Sequence, residues 1–194
     1  GMGSVSPSPR LDKALEDQVM KTIVHPVVGG MASEGAPYHG VLYVGLMLTE
    51  EGPKVIEFNC RFGDPEAQVI LPRLKTDIVS AMLATTTASL HHFDIRCDQR
   101  SAVTVIMANK GYPGSYEKGS IICDIEEAEK IVDCHVFHSG TALAPNGDLI
   151  AVGGRVLSVT ALGADAASAR KSAYDGVTKI HWDNSFYRND IAKL

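Results

Sequence analysis

An α+β fold is what this sequence predicts, and three observations carry it. Apolar residues at helical spacing, Leu11, Leu15, Val19 and Ile23, open the chain. Strand-like runs pair across a polar turn near residue 50, and short strands with turns crowd together from Ser101 to Gly163. One Ala-rich helical segment follows Asp165.

Each element has a local cause. Residues 4–10, SVSPSPR, form a Ser/Pro loop, and the helix after it is expected to end or bend at Pro26, which lacks an N–H and crowds the preceding turn. The Gly/Pro-rich link EGAPYHG leads to GVLYVGLMLT, a buried strand too short to span a membrane. The turn TEEGPK returns the chain along KVIEFN, where side chains alternate, so Glu57 and Asn59 share one face and Ile56 and Phe58 the other. After RFG, Asp64 reads as a helix N-cap, Pro65 as the first helical position and Glu66 as part of the first turn. Pro72 interrupts that helix, and a fresh start at Thr76 or Asp77 runs to about residue 90. Residues 91–100, HHFDIRCDQR, are a polar linker in which the adjacent His91 and His92 read as exposed. AVTVIMAN, SIICD, DCHVFHSG, DLIAVGG and RVLSVTALG then make a small, mostly antiparallel β unit around the loop KGYPGSYEKG, and a helix from about Asp165 to Ile180 follows.

Composition bounds the function. At 194 residues, 45% hydrophobic and 21% charged, the chain is an ordinary globular one with room for one domain or two. A net charge of −5 gives no electrostatic reason to bind nucleic acid or an acidic membrane. Cys60, Cys97, Cys123 and Cys134 lack any metal-ligand spacing and read as reduced structural thiols. With no apolar run of ~20 residues and no signal-peptide core, a cytoplasmic location is expected.

The chemistry concentrates in VIEFNCRFGDPEAQ, residues 55–68. Singly, Glu57 is a solvated strand residue, Asn59 a turn former and Asp64 a helix cap. Together, Glu57 and Asn59 offer two hard oxygens on one face, a set that suits Mg²⁺ when phosphate oxygens complete its shell. Arg61 adds a fork of donors for phosphate or carboxylate, if the strand continues that far. Cys60 alternates to the opposite face and does not read as a nucleophile.

These residues carry a resemblance. RFGDPEAQ, with IEFNC before it and GVLYVGLMLT upstream, closely resembles the phosphoribosylamine–glycine ligase (glycinamide ribonucleotide synthetase) family of purine biosynthesis. GMGSVSP resembles the family's glycine-rich loop, and EGAPYHGVLY, NKGYPGSYEKG, VFHSGTAL and GGRVLSVTA extend the likeness over nearly the whole chain. The resemblance implies the second lobe of an ATP-grasp domain over residues 1–97 and a small β-rich C-terminal domain with a helix over 98–194. It implies a reaction in which ATP phosphorylates the glycine carboxylate and the amine of 5-phosphoribosylamine attacks the acyl phosphate, giving glycinamide ribonucleotide, ADP and phosphate. Carried over, Glu57 and Asn59 match the magnesium ligands (Mg²⁺ or Mn²⁺), and Arg61 matches an arginine that stabilises phosphate or the intermediate. Asp64 holds the substrate loop or captures the amine, or only caps the helix; Pro65, Gly1 and Gly3 fall in substrate-contacting stretches. Lys110, Tyr112 and Tyr116 are either a closing loop or a surface turn, and Gly153, Gly154 and Arg155 either approach the ribose phosphate or make a tight turn.

The family's N-terminal domain and first ATP-grasp lobe have no counterpart here, so the expectation is a C-terminal portion of the ligase whose partner is the missing N-terminal half. Two functions follow: the metal and substrate half of an ATP-dependent carbon–nitrogen ligase, or a catalytically inactive folded module for binding or interaction. An unrelated metal hydrolase is disfavoured by the lack of a ligand-rich cluster.

Overall fold

The computed structural model describes residues 1–193 and divides the chain into two units. One, the sheet unit, holds Gly1–Ser6, Asp64–Arg73 and the chain from Asp98 onward; the other, the hairpin unit, holds Pro7–Gly63 and Leu74–Cys97. In chain order the elements are β1 (Gly3–Ser6), α1 (Lys13–Val19), α2 (His25–Ser33), β2 (Tyr43–Thr49), β3 (Gly52–Asn59), α3 (Ala67–Ile70), α4 (Ile78–Thr86), β4 (Ser101–Asn109), β5 (Ser120–Ile121), α5 (Ile125–Glu129), β6 (Cys134–His138), β7 (Thr141–Leu143), β8 (Leu149–Ala151), β9 (Arg155–Gly163), α6 (Ala166–Val177) and β10 (Ser185–Phe186). No helix among the described residues is long and apolar enough to cross a membrane. The break at Cys97/Asp98 falls where the polar linker ends, while residues 1–6 and 64–73 join the C-terminal sheet across the sequence.

The sheet unit is built on an antiparallel sheet in the order β1-β4-β9-β6, with β10 also on β4. Its two long strands are rich in β-branched residues, and β4 is buried from Ala102 to Asn109. A strand covered on both faces reads as continuous apolar sequence, and SAVTVIMAN does. On one face Val103, Val105 and Met107 join Val159, Ala161 and the α6 residues Ala169, Ala173 and Val177 in the main core. Ala102 and Leu162 meet Val69 of α3 on the other. Each fully buried large aliphatic side chain here contributes about 1.5–3 kcal/mol. The two buried threonines of the paired strands satisfy one another, Thr160 Oγ1 donating to Thr104 Oγ1 at 2.7 Å. Asp165 caps α6 by accepting from the Ser168 N–H at 2.7 Å, which fixes its start where the sequence reading put it. The short helix α5 was not expected from the sequence.

Several local expectations need correction. Asp64 does not cap a helix and Pro65 does not open one: the Asp64–Pro65 peptide is cis, and α3 begins only at Ala67 and is a single turn. A helix of four residues supplies little terminal dipole. The residues GMGSVSP do not form a loop either; Gly3–Ser6 is a strand, with Gly3 opposite Val105.

In the hairpin unit, Asp12 caps α1 by accepting from the Leu15 N–H at 2.8 Å. The helix does not end at Pro26. A π-helical turn over Met20–Val24 carries it into α2, with Pro26 just beyond the turn. The start expected at Thr76 or Asp77 falls at Asp77, which caps α4 by accepting from the Ser80 N–H at 3.0 Å. β2 and β3 pair antiparallel with a bulge between Gly45 and Leu46. The expectation of a buried strand at GVLYVGLMLT fails: within β2 only Gly45 is buried, while Met47, Leu48, Ile56 and Phe58 of the hairpin are exposed. Two strands alone cannot cover both of their faces.

Three cysteines, Cys60, Cys97 and Cys123, are exposed, and Cys134 is buried against α6, where it faces Gly176. Burial, aided by the Glu129 carboxylate, raises the Cys134 thiol from 9.0 to about 11. The folded chain therefore holds this proton more tightly than the unfolded one, and the corresponding stability is whole below pH 9.0 and lost as pH climbs toward about 11. We expect an aromatic disulfide reagent to titrate three thiols quickly in the native chain and the fourth only after denaturation. Between those pH values the melting temperature should fall more in the wild type than in Cys134→Ala; equal falls would disprove the assignment.

Candidate functional site

Two clusters carry chemistry, one in each unit. In the hairpin unit, strand alternation places Glu57 and Asn59 side by side on exposed β3, and Asn59 Nδ2 donates to Glu57 Oε1 at 3.0 Å. Their cross-strand partners are Gly45 and Tyr43. A side chain at Gly45 would stand 3.1 Å from Glu57 Cγ, so the glycine gives the carboxylate its room. The bulge lies at this same point of the ladder, and bulges re-aim neighbouring side chains.

The donor set fits a hard divalent cation in part. One carboxylate and one amide oxygen are oxygen ligands of the right kind, and the amide that donates to Glu57 presents its oxygen on turning about χ2. Among the described residues no group of three His, Cys, Asp or Glu side chains converges, so the phosphates of a nucleotide would have to complete the shell.

Arg61 does not continue the strand alternation. β3 ends at Asn59, and the exposed Arg61 turns back so that Nη1 donates to the Phe62 carbonyl at 2.8 Å. Its remaining N–H groups stay available to an anion. Cys60 is exposed; the Tyr38 hydroxyl donates to the Val41 carbonyl at 2.6 Å and is held protonated to higher pH by burial and by the neighbouring Cys60. His91 and His92 are exposed as expected, their rings 3.9 Å apart.

In the sheet unit the central pair is Asp64 and Arg155. Arg155 Nη2 donates to Asp64 Oδ2 at 2.6 Å, and Nη1 donates to the carbonyls of Asp64 at 3.2 Å and Gly1 at 3.0 Å. Gln68 Nε2 donates to the other carboxylate oxygen, Asp64 Oδ1, at 3.2 Å. Pro65 is buried, close to Gly1. Gly3 has a packing role: a Cβ there would lie 2.5 Å from Ile191 and 2.7 Å from the Thr104 carbonyl.

The loop that delivers Arg155 is pinned from inside. Asn109 ends β4, and its N–H donates to the Gly154 carbonyl at 2.8 Å while Nδ2 donates to the Gly153 carbonyl at 2.9 Å. Buried Trp182 completes the set, Nε1 donating to Asn109 Oδ1 at 2.8 Å. Tyr112 packs on Gly154, where a Cβ would stand 2.3 Å from its ring; this is the tight-turn reading of Gly153 and Gly154 with a physical cause. Sequence reasoning missed Gln68 and the Asn109–Trp182 pair. The available signals were a glutamine four residues after Asp64 and a lone tryptophan, which when buried needs an acceptor for its N–H.

Comparison with known proteins agrees along the chain. Two family models match: phosphoribosylglycinamide synthetase, ATP-grasp (A) domain, over residues 1–67, and phosphoribosylglycinamide synthetase, C domain, over residues 102–194. The chain is 50% identical over 194 residues to the chloroplastic phosphoribosylamine–glycine ligase of Arabidopsis thaliana, covering 98% of this chain and 36% of that protein. It is 46% identical over 191 residues to the phosphoribosylamine–glycine ligase of Agrobacterium fabrum, covering 98% and 44%. Against the trifunctional purine biosynthetic protein adenosine-3 of Gallus gallus it is 48% identical, covering 98% and 19%. Among solved structures, the phosphoribosylamine–glycine ligase of Thermotoga maritima superposes with a TM-score of 0.81 at 31% identity, covering 98% of this chain and 46% of that one. The biotin carboxylase domain of Hydrogenobacter thermophilus 2-oxoglutarate carboxylase shares the fold, with a TM-score of 0.63 at 13% identity, 96% of this chain and 40% of that one being covered. The chain thus spans less than half the length of these relatives.

Asn109→Ala should leave the buried Trp182 N–H without its acceptor and cost about 1–3 kcal/mol. Chemical denaturation followed by the fluorescence of Trp182, the single tryptophan, measures this; an unchanged midpoint would refute the pinning role.

Proposed function

This chain belongs to the phosphoribosylglycinamide synthetase family, and from that membership we propose that it supplies the metal and substrate half of an ATP-dependent ligase joining glycine to 5-phosphoribosylamine. In this reading residues 1–97 serve chiefly as the second lobe of an ATP-grasp domain and 98–194 as the C-terminal domain, and a preceding half of the ligase completes the nucleotide site. The observation that carries it is the pair of oxygen-bearing side chains, Glu57 and Asn59, set side by side at the end of β3.

Glu57 and Asn59 would hold the divalent cation, Mg²⁺ or Mn²⁺, that accompanies ATP. When bound, such an ion neutralises charge on the transferring phosphoryl group. Arg61 offers its unpaired N–H groups to that phosphate or to the acyl phosphate made from glycine. Asp64 accepts a hydrogen bond from the amine of 5-phosphoribosylamine, while Gly1 and Pro65 line the backbone beside it. Phosphate then leaves as the new C–N bond forms. None of these steps needs a covalent nucleophile on the protein, because positioning and charge stabilisation dominate phosphoryl transfer.

The test is ADP release with ATP, Mg²⁺, glycine and freshly generated phosphoribosylamine, by the chain alone and joined to the preceding half of the ligase. Turnover in the joined form that requires both substrates is the expected result; silence there would leave the inactive-module reading. Glu57→Ala should lower kcat about a hundredfold or more, since several kcal/mol of charge stabilisation go with the ion. Full activity in that variant would sink the metal assignment. Arg61→Lys should lower the rate about tenfold, because a point charge cannot reproduce the planar fork; an unchanged rate would leave Arg61 only its bond to Phe62.

A further inference from the structure

The Asp64 carboxylate is held from two sides and open on a third. Arg155 takes Oδ2, Gln68 takes Oδ1, and 47% of the side chain remains exposed. Arg155 itself is only 23% exposed, and all three of its hydrogen bonds go to the protein, two of them to Asp64. One guanidinium thereby fixes both the main chain and the side chain of the same residue, which a fork of N–H donors can do and a lysine ammonium cannot. Behind it, the hydrogen bonds of Asn109 to the Gly153 and Gly154 carbonyls hold the first residue of β9 in place. Gln68 also reaches Ser158 Oγ, at 3.4 Å, so both partners of Asp64 are tied to β9.

Resting on the functional reading above, we propose that Arg155 is a positioning residue: it does not bind the phosphate of the substrate but sets the Asp64 carboxylate at the angle from which it accepts the attacking amine. A misplacement of about an ångström at a reacting group costs up to about a hundredfold in rate, so a residue that never touches substrate can govern kcat. Three of the guanidinium's N–H groups are given to protein acceptors, and the one facing the carboxylate is spent on Asp64 Oδ2.

A double-mutant cycle in the ligase, this chain joined to its preceding half, tests the idea. Wild type, Asp64→Asn, Arg155→Met and the double variant are compared for kcat and for the KM of glycine and of phosphoribosylamine, with Arg155→Lys as the conservative variant. Arg155→Met should lower kcat about tenfold to a hundredfold with the KM for phosphoribosylamine little changed. In the Asp64→Asn background the same change should cost less than about threefold, because two residues acting through one contact are not additive. Arg155→Lys should recover part of the loss. Losses that multiply, a loss confined to the KM for phosphoribosylamine, or no loss would each overturn the proposal, the second by making Arg155 a direct ligand of the substrate. Thermal melting checks each fold, and if Arg155→Met does not fold, Arg155→Lys carries the cycle. A wild type that releases no ADP with both substrates overturns the functional reading and this proposal with it; an active wild type with additive losses overturns the proposal alone.

Discussion

The pairing of β4 with β9 is the constraint on which the sheet unit depends. It runs from Ser101 opposite Gly163 to Ala108 opposite Arg155, and it is covered by α6 on one face and α3 on the other. Near its end the register slips between Met107 and Ala108, leaving Val156 as the extra residue of a bulge. A bulge changes which face the next side chain takes, and here the next residue is Arg155. The Asn109 side chain then adds a rung of its own to the ladder by donating to the Gly153 carbonyl. Strand register, a bulge and one buried amide together decide where a guanidinium sits.

The hairpin unit reaches its cluster by a similar device at smaller scale. Its bulge falls beside Glu57, opposite a glycine that leaves space for the carboxylate. In both units a polar group of the cluster stands at or near the end of a paired strand. The stabilities of the two supports differ. The Arg155 cluster leans on a core of fully buried Val, Leu and Ala side chains, whereas the hairpin carries exposed Met47, Leu48, Ile56 and Phe58.

Short-range physics was legible in the sequence and long-range pairing was not. Alternation along KVIEFN brought Glu57 and Asn59 together on paper as it does in space, and helix starts near Asp77 and Asp165 followed from residue type and position. The α+β class and the antiparallel C-terminal sheet were equally readable from β-branched runs and turns. The Asp64–Arg155 contact joins residues 91 apart, and no periodicity reports a pairing of that kind. The first helix does not end at Pro26, because a π-turn carries it past the proline, and the cap reading of Asp64 failed because a carboxylate that suits an N-cap suits an arginine as well. Gly3 read as a loop residue because a glycine needed for close packing and one needed for flexibility look alike in sequence.

The placement of β1 sets the order in which the sheet unit can assemble. This strand pairs with residues roughly a hundred positions later in the chain, and loop closure over such a span is slow compared with local contacts. During synthesis Gly3–Ser6 emerges before β4 exists, and α3 emerges before the sheet face it covers. Both must wait as unpaired segments while the hairpin between them forms from neighbours a few residues apart. The unit is therefore expected to be completed late, with its first strand unpaired until β4 is made.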